Sequence, residues 1–310
     1  VGTKRMAESC VGSATSNGGT IMRTTRPLLP ILALALAGCM SDPATTTMTL
    51  GFAGVPQLGD GYVYEGWIMV DGAPVSAGRF TVDEDSNPIP GSFEIDADMA
   101  ERATAYILTI EPEVGDDPAP SDVHLLAGEL SGGTASLTVS HPAALGTDFT
   151  DAAGEYILET PSSMAVADDY DQGIWWLIPG DSGMAPGLEL PELPAGWVYE
   201  GWVVGDDGPV STGTFSATDV ADSDEAGNAA GPDDSPAFPG QDFVDPARLL
   251  TGGMAVISVE PVPDDSPMPF VLKPLVDMDV EAVMAPSTQS MANEAVATNP
   301  SGTVGFASAE

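Results

Sequence analysis

The sequence predicts an all-β protein: two tandem antiparallel β-sandwich-like domains behind a lipoprotein signal peptide. Three observations carry this. Gly 35 and Pro 28 together exceed a fifth of the 310 residues, which favours turns and short strands over long helices. Runs rich in aromatic and β-branched residues are punctuated at short spacing by Gly, Pro and Asp, the pattern of a sandwich. A 26-residue block occurs twice: residues 55–80 (VPQLGDGYVYEGWIMVDGAPVSAGRF) and 190–215 (LPELPAGWVYEGWVVGDDGPVSTGTF) align without gaps, with 14 identities.

The elements follow in order. Residues 62–70 form a strand of aromatic and β-branched character. Asp71-Gly72 suits the positive φ of a tight hairpin turn, and residues 75–82 return. Further strands are predicted at 48–52, 92–95, 105–111, 123–126, 135–140, 155–159 and 174–178, with a helical turn at 97–103. A second pair of related segments, 105–121 and 255–269, each places Glu-Pro after an apolar run and then an acidic, Pro-rich turn. The longer spacing in the second copy falls in residues 220–241, which read as an acidic surface loop. A repeat of this length predicts a duplicated domain rather than a solenoid unit, with copies at 46–165 and 172–310.

The N-terminal part reads as an address. Arg23 and Arg26 precede an apolar run at 28–37, too short for the roughly 20 residues of a spanning helix. Leu36-Ala37-Gly38-Cys39 has the form of a bacterial lipobox, so 22–38 is expected to be a signal peptide, Cys39 the lipidated residue, and 39–45 a polar tether. Several acyl chains make a stable anchor. Residues 1–21 precede a complete signal peptide and are read as an over-long leader. The expected location is the cell envelope, outside the cytoplasm, on the outer membrane where one exists. Cys10 falls in the leader, so the folded part is expected to hold neither a disulfide nor a Cys metal ligand.

Charge narrows the partners. Lys+Arg 8 against Asp+Glu 47 gives a net charge of -39, and the sequence pI is near 4.1. Such a surface repels phosphate backbones and anionic headgroups, which argues against nucleic acid and against basic-patch membrane docking. After Cys39 only Arg79, Arg102, Arg248 and Lys273 remain as bases, against 46 acids, for a net -42. The membrane, through Cys39, and an envelope protein are the expected partners.

Few residues carry chemistry. Glu65 with Trp67, and Glu200 with Trp202, share a strand face and form candidate ligand-binding pairs; the plainer reading is a packed aromatic beside an edge carboxylate. Asp83, Asp85, Asn87 and Glu94 have the oxygen spacing of a calcium loop, with Pro88 where a sharp turn favours Gly. Asp222, Asp224, Gly227 and Asp233 repeat that spacing in part. Calcium is therefore the one cofactor considered. Gly180-Asp181-Ser182-Gly183 resembles a serine-nucleophile context but reads as a turn, and His124 with His141 are too few for a His-based zinc site. A glycosidase pair at Glu65 and Glu111 would need carboxyls about 5–9 Å apart. The expectation is a protein that is not an enzyme, with a structural or surface-interaction role in the envelope and a carbohydrate-active enzyme as the alternatives.

Several motifs resemble the extracytoplasmic C-terminal domain of anti-sigma-K factors. They are Tyr64-Glu65-Gly66-Trp67, Pro74-Val75-Ser76-Ala77-Gly78-Arg79-Phe80 and Leu108-Thr109-Ile110-Glu111-Pro112. They recur as Tyr199-Glu200-Gly201-Trp202, Pro209-Val210-Ser211-Thr212-Gly213-Thr214-Phe215 and Ile257-Ser258-Val259-Glu260-Pro261. The resemblance implies a β-rich module that senses, or is recognised, outside the membrane, and no catalytic site. That family holds its sigma factor through a cytoplasmic helical domain, which these motifs do not include, so only the outer module carries over.

Overall fold

The computed structural model describes residues 44–307 apart from 165–167, 181–182 and 265. The expected signal peptide and Cys39 lie outside the described residues. In chain order come β1 (Thr45–Ala53), β2 (Tyr62–Val70), β3 (Ala73–Val82), β4 (Pro88–Ile89) and β5 (Ser92–Asp96). A short helix α1 (Ala97–Arg102) precedes β6 (Ala103–Pro112), β7 (His124–Glu129), β8 (Thr134–Thr138) and β9 (Ala153–Leu158). Then follow β10 (Gly173–Trp175), β11 (Leu177–Gly180), β12 (Gly183–Pro186), β13 (Leu188–Glu189), β14 (Trp197–Gly205) and β15 (Gly208–Phe215). The remainder is β16 (Gly240–Asp242), β17 (Met254–Pro261), β18 (Leu275–Asp277), β19 (Gln289–Asn293), α2 (Ala295–Thr298) and β20 (Ser301–Phe306).

The strands assemble into two large antiparallel sheets and one small hairpin. The first sheet runs β4-β3-β2-β6-β7-β8-β20-β1-β5. The second runs β15-β14-β17-β18-β19-β9-β10-β16, with β13 beside β9, while β11 and β12 pair with each other. The all-β antiparallel class expected from the sequence is the observed one. The β3-β2-β6-β7 order of the first sheet recurs as β15-β14-β17-β18 in the second.

The repeated block builds one end of each sheet, β3-β2 in the first and β15-β14 in the second. Tyr64 and Ile68 point to the main core and are fully buried, while Trp67, 3% exposed, packs on the opposite face with Ile107, Ala127 and Ala144. Both faces of β2 are thus covered, which explains its nearly continuous apolar run. Gly66 is needed for close approach: a Cβ there would overlap the Tyr106 hydroxyl, and one on Gly201 would overlap Thr212 and the Trp176 indole. A bulge falls between Gly66 and Trp67 on the β2–β3 ladder and between Glu200 and Trp202 on β14–β15; such bulges re-aim the side chains that follow. The Asp71-Gly72 turn has φ of 53° and 81°, the both-positive geometry that a two-residue hairpin favours.

Chain order and sheet order part at two places. β9, which falls in the first sequence copy, pairs with β19, β10 and β13 in the second sheet. β20, which falls in the second copy, lies between β8 and β1 in the first. The sheets therefore do not divide the chain at residues 165–172. One apolar core runs through residues of both, from Tyr64 and Leu108 to Tyr156, Trp176, Tyr199 and Ile257, and the described residues fall within a single compact unit.

Residues 220–239 carry no helix or strand, and parts of this segment pack against the fold. Ala226, Ala230 and Phe238 pack against Trp175, Ile157 and Leu177. The backbone is tied down as well, through Gly231 N–H to Ser162 Oγ at 2.8 Å and Asp233 N–H to Ser162 O at 3.0 Å. Small and acidic residues compose a loop-like sequence, yet small side chains also let a segment lie flat over a tryptophan.

Candidate functional site

The Glu-Gly-Trp motif sets up one constellation in each sheet. In the first, Glu65 on β2 stands opposite Thr109 on β6 and Arg79 on β3. The Trp67 indole N–H donates to Thr109 Oγ1 at 2.9 Å. The Ser76 hydroxyl donates to Glu65 Oε1. Arg79 Nε lies 3.4 Å from Glu65 Oε2, and its Nη2 lies 3.6 Å from Asp116 Oδ2 and donates to the Pro112 carbonyl. Glu111, at the end of β6, is fully buried and accepts from Ser121 N–H at 2.9 Å.

The second constellation repeats these contacts with different residues. The Trp202 indole N–H donates to Ser258 Oγ at 2.8 Å. The Ser211 hydroxyl donates to Glu200 Oε1, and the Ser258 hydroxyl to Glu260 Oε1. Glu260 also accepts from Phe270 N–H at 2.8 Å. Outside the strands, Tyr64 donates to Pro56 O at 2.7 Å and Tyr199 to Pro191 O at 2.6 Å, and both rings stack on a phenylalanine at 5.8 Å, Phe80 and Phe215. The cation is the difference: Thr214 stands opposite Glu200 where Arg79 stands opposite Glu65.

Burial sets the electrostatics. Loss of water pushes Glu200 and Glu260 up to about 7, against the hydrogen bonds from Ser211 and Ser258 that favour the charged forms. Nearby acids raise both further: Asp264 and Asp224 act on Glu200, and Asp264 and Glu200 on Glu260. Burial likewise raises Glu111. Among the described residues, Glu200, Glu260 and Asp264 form a trio whose ligand atoms all lie within 4.8 Å of one another.

The residues singled out in the sequence are distributed as follows. Glu65 and Glu200 are 5% and 6% exposed, and Trp202 is 2% exposed with Val256, Val276 and Val204 around it. Both indoles present no open face, and their N–H groups are already bonded into the sheets. Neither carboxyl of the Glu65 and Glu111 pair is open to solvent. The expected calcium loop is split. Asp83 accepts from the backbone and side chain of Asn87 and from Asp85 N–H, closing the β3–β4 turn, and these bonds hold its carboxyl below the usual range. Glu94 instead accepts from Thr45 and Thr47 on β1, at 2.9 Å each. Asp83, Asp85 and Glu94 do not converge as the Glu200 trio does. Of Gly180-Asp181-Ser182-Gly183, the central two lie outside the described residues, and Gly180 pairs with Gly183 across the β11–β12 hairpin.

Of two further buried acids, Asp242 carries no signal in the sequence, and Asp222 stands out there only through its oxygen spacing. Asp242, fully buried, accepts from Ser162 N–H (2.8 Å), Ser162 Oγ (2.6 Å) and Trp175 Nε1 (2.9 Å). Asp222 accepts from Gly240 N–H at 2.8 Å. Each lies within or just after the 220–241 segment, where a run of acids offers no local signal for which one turns inward.

Fold and site together define a double antiparallel-sheet β protein with a buried Glu/Trp constellation in each sheet. Residues 32–124 match the family model described as anti-sigma-K factor rskA, C-terminal. The match spans under a third of the chain and ends at the first residue of β7. No curated protein and no solved structure matches the chain. Among the described residues, no helix is long and apolar enough to cross a membrane.

Proposed function

We propose that the protein is a lipid-anchored, extracytoplasmic, non-enzymatic binding protein whose anti-sigma-K-like modules serve envelope sensing linked to regulation. The observation that carries this reading is the family match over residues 32–124. The recurrence of the Glu-Gly-Trp geometry in the second sheet supports a second module of the same kind. The buried, internally bonded Glu and Trp side chains favour a scaffold role for the motif, with recognition left to the loops around it. Cys39, in Leu36-Ala37-Gly38-Cys39, supplies the anchor.

The test has two arms. Metabolic labelling with a radioactive fatty acid should mark the wild-type chain and not Cys39→Ala. Crosslinking of whole envelopes, followed by pull-down, should recover a membrane protein with a cytoplasmic sigma-binding region. Recovery of wall polymer and abundant envelope proteins in its place would support a structural role and overturn the regulatory one.

A further inference from the structure

The two constellations differ in how their carboxylates are neutralised. In the first, the Arg79 guanidinium reaches Glu65, Asp116 and the Pro112 carbonyl. In the second, Thr214 takes the Arg79 position, and its hydroxyl turns away to Ser223 Oγ at 3.0 Å. The corresponding acids, Glu200, Glu260 and Asp264, close up into the trio described above, which their counterparts Glu65, Glu111 and Asp116 do not form.

A second observation points into this trio. Glu260 is fully buried, and its Oε2 has no hydrogen-bond partner. A buried carboxylate oxygen left unmet is costly, and a cation is one way to meet it. Glu111 Oε2 is unpartnered too, but there the neighbouring acids already hold Arg79. Around the second trio, Asp224 adds negative charge at Glu200. Lys273 attracts Glu260 without closing to an ion pair.

We propose that Glu200, Glu260 and Asp264 bind a divalent cation of the calcium class, at the place the Arg79 guanidinium occupies in the first sheet. Carboxylate oxygens suit a hard cation and not a thiophilic one. Calcium accepts six to eight oxygens at about 2.3–2.6 Å in flexible geometry. The Pro261 carbonyl is available as a further ligand by position. It pairs with Trp197 in the register in which Pro112 pairs with Tyr62, and Pro112 O is the acceptor of Arg79. Water completes the shell. The site stands apart from the function proposed above and survives its failure.

The full chain is titrated with terbium, whose luminescence Trp202 should sensitise, and then with calcium as competitor, in buffer of about 0.15 M ionic strength so that diffuse binding to the acidic surface is screened. One saturable site is expected, with a calcium Kd on the order of 0.1–1 mM as in extracellular modules. Asp264→Asn, at an exposed position and keeping an oxygen for the Ser266 N–H, should weaken binding at least about tenfold. Thr214→Arg should abolish it while leaving the melting temperature equal or higher. Arg79→Thr should add a second site. The proposal is overturned by the absence of saturable binding, by binding indifferent to Asp264→Asn and Thr214→Arg, or by binding that Asp83→Asn with Glu94→Gln removes instead.

Discussion

Arg79 stands directly across the β2–β3 ladder from Glu65, with Nε 3.4 Å from Oε2. The Glu65 side chain is almost fully buried, while that of Arg79 keeps 35% of its surface in water. Removing one partner of such a pair strands a buried charge. Arg79→Met should therefore destabilise the protein by about 1–3 kcal/mol, the partial exposure of the Arg placing it below a fully buried pair. Urea denaturation measures this. The double variant Arg79→Met with Glu65→Gln should recover much of the loss, and failure to recover would mean that the Arg acts by packing.

Tyr106 is fully buried, and its hydroxyl has no hydrogen-bond partner. It lies against Gly66. Because an unmet hydroxyl costs about 1–3 kcal/mol, Tyr106→Phe should leave stability unchanged or raise it. Gly66→Ala should cost about 1–3 kcal/mol through overlap with the ring. The two changes should be non-additive in a double-mutant cycle, since the added methyl and the hydroxyl compete for one space.

The pH dependence has a definite sign. Burial holds Asp222, Asp242 and Glu159 above their ordinary range. Each binds its proton more tightly folded than unfolded. Their contribution to stability is full below the unfolded values near 4 and is lost as pH rises through the folded values, about 7 for Asp222. The urea midpoint should be higher at pH 5 than at pH 8, at an ionic strength of about 1 M that screens surface repulsion. Asp222→Asn, whose amide oxygen still accepts from Gly240, should flatten that profile. A midpoint rising with pH would contradict the assignment.

Salt should stabilise. The net charge of -39 on the whole chain repels itself across a surface with few bases, and screening relieves this. The melting temperature should climb from low salt to about 1 M sodium chloride, in which the Debye length is about 3 Å. A flat or falling curve would show that pairs such as Arg79 with Glu65 outweigh the general repulsion.

What the sequence revealed is what a two-residue period and turn chemistry can encode. The strand at residues 62–70, the Asp71-Gly72 turn and the helical turn at α1 were all legible locally. So was the Glu-Gly-Trp block, although not the reason for its glycine, which lies in the Tyr106 ring more than thirty residues away in sequence. Convergence of Glu200 with Glu260 follows from β14 pairing with β17, a long-range pairing that leaves no mark on either segment. The Asp83 to Glu94 spacing likewise holds no sign of the partners these oxygens take, Asp83 in its own turn with Asp85 and Asn87 and Glu94 with the threonines of β1. The packing of residues 220–241 was invisible because Gly, Ala and Asp look alike in an open loop and in a thin cover over Trp175.

The place of β20 has a temporal consequence. Phe306 pairs with Met48 and Ser301 with Ala53, so β1 waits for a strand made about 250 residues later. Until residues 301–306 arrive, the first sheet is two fragments, β4-β3-β2-β6-β7-β8 and β1-β5, with β8 and β1 exposing unpaired backbone at their facing rims. Closing so long a loop is slow, and open strand rims invite pairing with other chains. The first sheet therefore matures only once residues 301–306 have been made, and a nascent chain stalled before residue 301 leaves both rims open.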